Sequence, residues 1–129
     1  MHVQGFHHVA IQVRDLERSA AFYRELLGFP ELARHRRPDG SLRSIWVQVP
    51  GGGFLALEEV AGALPPPGPF RHEEPGLLLL AFRIPRAGRQ AALDALARAG
   101  VALEHQTRWT LYVRDPEGNR VALSHHPED

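Results

Sequence analysis

The chain runs through one order of elements twice, and this repeat is what most restricts the folds open to it. From Phe6 to Val13 the residues Val9, Ile11 and Val13 alternate with His8, Ala10 and Gln12, the period of a strand with one apolar face. Asp15 stands where a helix N-cap belongs, and Leu16, Ala20, Tyr23 and Leu27 follow at helical spacing. Gly28 ends the helix, because glycine takes the left-handed conformation freely. Three strand-like pieces come next: Glu31–Arg36, Ser44–Val49 and Phe54–Glu59. The turn Pro38-Asp39-Gly40 parts the first two, and Pro50 with three glycines parts the last two. The proline-rich stretch Val60–Gly76 has no periodicity and reads as a stiff linker. The order then recurs, with a strand at Leu77–Ile84, a helix at Gly88–Ala99 and strands at Val101–Glu104, Thr107–Val113 and Arg120–His125. ELLGF corresponds to ARAGV, and FLALEE to RVALSH. A β-α-β-β-β unit repeated in this way predicts one α+β domain of two modules, residues 1–60 and 77–129, joined by residues 61–76.

Composition removes several classes of chemistry. The chain has 129 residues and no cysteine, which excludes disulfides, thiolate metal sites and a cysteine nucleophile. Its 15 basic residues are all arginine, so neither a lysine Schiff base nor a phosphate loop ending in Gly-Lys is available. Fifteen acidic residues balance them, and a zero net charge argues against nucleic acid or an anionic membrane as partner. The N-terminus lacks a signal-peptide pattern, and the longest apolar run, Leu77–Phe82, has the length of a strand, so a cytoplasmic protein is expected. Ser44 and Ser124 have no nucleophile-elbow motif around them.

Two segments carry a family resemblance. HHVAIQVRDLERSAAFYRELLGF and YVRDPEGNRVAL are similar to the opening strand and helix, and to the Asp-Pro-x-Gly-Asn hairpin, of the vicinal oxygen chelate superfamily. This is the glyoxalase, bleomycin-resistance and extradiol-dioxygenase group. The resemblance implies two βαβββ modules forming a curled mixed sheet, a half-barrel around one cavity with helices on the outer face. Alternation then sends Val9, Ile11, Val13, Ile45, Val47, Leu55 and Leu57 toward the helices, with Leu80, Phe82, Leu111, Val113, Val121 and Leu123. Trp109 is expected in the same helix-side core, and His7 on that side by parity. From the other face, His8, Gln12, Trp46, Gln48, Phe54, Glu58, Arg83, Arg108 and Tyr112 are the candidate ligand-binding residues. Trp46, Phe54 and Tyr112 would stack on a planar ligand, and Arg83 and Arg108 would grip an anion. Arg120, directly after a turn, is expected to reach solvent or to pair with Glu58, and Glu59 to be solvated.

Metal-dependent relatives would place four His or Glu ligands on the inner faces. Carried over, these positions fall on His8, on Ala56 or Glu58 depending on register, on Leu79 and on Ala122. Leu79 and Ala122 have no donor atom, so the favoured expectation is a small-molecule binder with no catalytic metal and no cofactor. The ligand is a small organic molecule, aromatic or anionic, and the protein a homodimer, as is frequent in the family. The alternative is a lyase, isomerase or dioxygenase holding a divalent ion through His8, Glu58 and a further donor, with His126 as the candidate third. An interaction module with a self-filled cavity is a further alternative. The pairs His7-His8 and His125-His126 cannot chelate through both members, since strand neighbours point to opposite faces.

Overall fold

The structure, a computed structural model, describes residues 1–60, 65, 68–69 and 71–129. Residues 61–64, 66–67 and 70 of the linker lie outside the described residues. The chain divides into two units, Met1–Pro65 and Pro66–Asp129, each with its own sheet.

In the first unit, β1 (His8–Val13), α1 (Leu16–Ala21), β2 (Glu31–Arg36), β3 (Leu42–Gln48) and β4 (Phe54–Glu59) form an open mixed sheet in the order β1-β4-β3-β2. β1 runs parallel to β4, and the other pairs are antiparallel. Asp15 caps α1 by accepting the Arg18 N–H at 3.1 Å. Leu16, Ser19, Ala20 and Tyr23 form its buried stripe. The helix does not run on regularly as its spacing predicts. Phe22–Leu26 form a widened π turn, in which the Leu27 N–H reaches the Phe22 carbonyl at 3.2 Å. The extra residue in that turn lets two consecutive rings, Phe22 and Tyr23, enter the core together. Gly28, at φ 76°, then reverses the chain.

α1 packs over β3 and β4. Beneath it Ile11, Val13, Ile45, Val47, Leu55 and Leu57 are all 7% exposed or less, the face that alternation assigns to the helix. Each such side chain contributes roughly 1.5–3 kcal/mol on burial.

The second unit repeats the topology. β5 (Leu80–Arg83), α2 (Arg89–Arg98), β6 (His105–Gln106), β7 (Thr110–Arg114) and β8 (Arg120–Ser124) form a sheet in the order β5-β8-β7-β6. Its core is Leu96, Leu111, Val113, Val121 and Leu123. No described helix is long and apolar enough to cross a membrane.

Three expectations for this unit need correction. β5 starts at Leu80, not Leu77, because its partner β8 starts only at Arg120 and leaves Leu77 and Leu78 nothing to pair with. β6 lies at His105–Gln106 rather than Val101–Glu104. Here α2 ends in a Schellman motif, with Gly100 at φ 69° and the Val101 N–H bound to the Leu96 carbonyl at 2.9 Å, so the first residues of the expected strand serve the helix end. β7 starts at Thr110, because the Thr107 hydroxyl accepts the Trp109 and Thr110 N–H groups at 3.2 and 3.1 Å and folds residues 107–110 into a turn.

Candidate functional site

On the first sheet, the face away from the helix is laid out by register in three rows. His8, Phe54 and Gln48 form one; Ala10, Ala56, Trp46 and Ala33 the next; Gln12, Glu58, Ser44 and His35 the third. His8 and Phe54 meet within a row, and the other aromatic members meet diagonally. His8 stacks on Phe54 with ring centroids 4.8 Å apart and planes 9° apart. Phe54 stacks on Trp46 at 4.5 Å, and His35 lies 4.3 Å from Trp46. Four rings therefore cross all four strands. His8 is exposed, while Phe54, Trp46 and His35 are half-buried.

His7 precedes β1 and joins this group instead of the core. Its Nδ1 lies 2.8 Å from the Nδ1 of His8, and its ring meets Phe54 edge-on. One imidazole must donate in that contact, so Nε2 is the ring nitrogen of His8 left for a ligand. Gln48 ties the local hairpin, its amide donating to the Gly53 carbonyl at 2.6 Å. Gln12 is exposed and Glu58 half-buried. Glu59, expected to be solvated, accepts from Arg37 at 3.1 Å.

On the second sheet the matching row is Ala81, Ala122 and Tyr112. A recess of about 470 Å³ opens there, lined by Tyr112, Arg120, His105, His72, Leu78 and Leu79. The Arg120 guanidinium carbon lies 4.7 Å from the centre of the Tyr112 ring, and its Nε lies 3.4 Å from Glu104. Only 13% of that side chain is exposed, so Arg120 does not reach into solvent as its place after a turn suggests. The hairpin register carried the missed signal, because Arg120 opposes Arg114 and thus lies diagonal to Tyr112 on one face. His105 and His72 had no signal, one sitting where no strand was expected and the other in the linker. Glu104 also accepts from Arg114 at 2.6 Å, so one carboxylate serves two arginines.

Arg83 is exposed on β5 opposite Ser124. Arg108 does not join the face. The Thr107 turn removes it from β7, and its guanidinium pairs with Asp129 and stacks on Trp109 at 4.7 Å. Trp109 is half-buried rather than core, its Nε1 donating to Asp129 at 2.9 Å.

The two units also align the family's metal positions. Ala56 pairs in parallel with Ala10 and antiparallel with Trp46, as Ala122 pairs with Ala81 and Tyr112. The internal match therefore falls on Ala56, and Glu58 lies one row further on, opposite Gln12. Glu58 stands four residues beyond Phe54, the partner of His8, roughly 13 Å along the strand. Among the family's positions His8 carries a donor atom, and Ala56, Leu79 and Ala122 do not. No cluster of three His, Asp or Glu with the geometry of a metal site occurs among the described residues.

The family model for the Glyoxalase/Bleomycin resistance protein/Dioxygenase superfamily matches residues 5–123. Among solved structures, a glyoxalase/dioxygenase from Nostoc punctiforme is 23% identical with a TM-score of 0.81, covering 97% of this chain and 92% of that one. A glyoxylase/bleomycin resistance protein/dioxygenase domain from Frankia sp. EAN1pec is 29% identical with a TM-score of 0.75, covering 96% and 98%. Lactoylglutathione lyase from Agrobacterium tumefaciens is 24% identical with a TM-score of 0.69, covering 96% and 95%. A family match over nearly the full length joins the doubled β-α-β-β-β topology, and the chain belongs to the glyoxalase/bleomycin resistance/dioxygenase superfamily.

Proposed function

We propose that this protein binds a small organic molecule with a planar portion, and that it does so without a divalent ion at the family's ligand positions. The observation that carries the reading is the row His8–Phe54–Trp46–His35, four rings in contact across a face that the helix leaves uncovered. Aromatic groups mostly serve cores and interfaces, and stacking on a flat ligand is what such a row offers. Separately, the Tyr112–Arg120 recess of the second unit sets a guanidinium over a ring, an arrangement that suits an anionic group. Ala56, Leu79 and Ala122 bear no donor, which supports binding over metal catalysis. Exposed residues on the edge strands β1 and β5 agree with a homodimer, for which light scattering should give twice the chain mass.

Isothermal titration with benzoate, salicylate and 2-naphthoate is expected to give saturable heats that Trp46→Ala weakens at least tenfold. Silence across the panel would overturn the binding reading. Melting curves are expected to stay put with manganese, nickel, zinc or ferrous iron, since an ion at a hundred times its Kd would add about 2.7 kcal/mol. A shift that His8→Ala abolishes would overturn the metal-free part.

A further inference from the structure

One side of the aromatic row holds three polar atoms with nothing to bond to. Trp46 Nε1, His35 Nε2 and Ser44 Oγ are all shielded, and none has a hydrogen-bond partner among the described residues. Register puts them together: Ser44 pairs with His35 across β2 and β3, Trp46 lies two residues from Ser44 on the same face, and the His35 ring touches Trp46. Ser44 itself is fully buried. A buried polar group without a partner destabilises the fold, and three in one place call for an explanation.

Their chemistry defines the missing partner. An indole N–H can only donate, a serine hydroxyl can donate, and imidazole Nε2 donates in one tautomer. An oxygen with free lone pairs is the partner they lack, two of them bonding to a ketone and all three to a carboxylate's two oxygens. We infer that Trp46 Nε1, Ser44 Oγ and His35 Nε2 form the polar end of the ligand site, and that the ligand is a planar ring bearing a carboxylate or ketone oxygen. This deepens the proposed binding function and rests on it. The ring lies along Phe54 and His8, and the oxygen reaches past Trp46 toward Ser44. Entry needs one movable cover, and His35 supplies it. It sits on β2, the edge strand, and the pairing register slips between Glu31 and Ala33 and again between His35 and Arg36. Such irregularities loosen an edge and re-aim its side chains.

Titration with three probes separates the possibilities: benzoate (ring and oxygen), toluene (ring alone) and acetate (oxygen alone). Wild-type protein should bind benzoate at least tenfold more tightly than either of the others. Trp46→Phe keeps a ring and removes the donor, so it should cost benzoate about tenfold and leave toluene within twofold. On adding benzoate, the Trp46 Nε1 proton resonance should move downfield as its hydrogen bond forms. Ser44→Ala should weaken benzoate while leaving the melting temperature of the free protein unchanged or higher, because it removes an unbonded hydroxyl. Benzoate and toluene binding alike, with Trp46→Phe without effect, would overturn this assignment and leave the stacking site standing. A melting temperature several degrees lower in Ser44→Ala would also overturn it, by showing the hydroxyl already bonded. Failure of both ring probes would remove the parent reading, and this one with it.

Discussion

At the scale of single residues, Asp115 shows how much one side chain can organise. Its carboxylate accepts the Glu117 and Asn119 N–H groups at 2.9 and 2.8 Å, and the Asn119 amide at 2.9 Å, while the residue is only 4% exposed. Asp115→Ala strands these donors and is expected to lower stability by about 3 kcal/mol, read from urea denaturation midpoints. Asp115→Asn, which keeps one oxygen, should lose less. This turn was legible from Asp-Pro-Glu-Gly-Asn alone, because these three bonds lie within five residues. Arg108 was not legible. Its exit from the strand depends on the Thr107 hydroxyl capturing two backbone groups, and on pairing with Asp129 far along the chain. Strand parity sees neither effect.

Among elements, α1 and its π turn are fastened to β2 by charge. Arg34 on β2 donates to Glu17 at 2.6 Å and to Glu31 at 3.0 Å, and Arg24 donates to Glu31 at 2.6 Å. The hydrogen bond from Arg34, the largest influence on each, holds both carboxyls below the usual range, against the smaller penalty of burial. Stability from groups shifted down is fully present above the ordinary glutamate value and lost as pH falls through the folded-state value. The unfolding free energy should therefore hold from neutrality to about pH 5 and decline below it. Glu17→Gln with Glu31→Gln should flatten that decline in urea titrations at graded pH. The side chains are partly solvated, so Arg34→Met should cost only about 1 kcal/mol, less in high salt. Helix and strand positions were readable from periodicity because one buried face enforces it. The edges of β5 and β6 were not, since they are set by where the partner strand begins and by how the preceding helix ends.

Across the whole molecule, charge is balanced within each unit as well as in total. Seven arginines meet seven acids in the first unit, eight meet eight in the second, and each holds four histidines. The isoelectric point is near 7.1. With so little net charge at neutrality, colloidal solubility should be lowest near the isoelectric point and rise as pH moves away from it in either direction, which light scattering across pH can follow. The repeat that was plain in the sequence also recurs in finer grain, since each sheet sets two alanines beside one large ring. In the first sheet Trp46, the cross-strand partner of Ala56, stacks on Phe54, and Ala56 is only 2% exposed. A larger, charged side chain at that nearly closed position would have to displace the neighbouring Trp46 to find room. A platform of stacked rings and an acidic side chain thus compete for the same ground on this sheet.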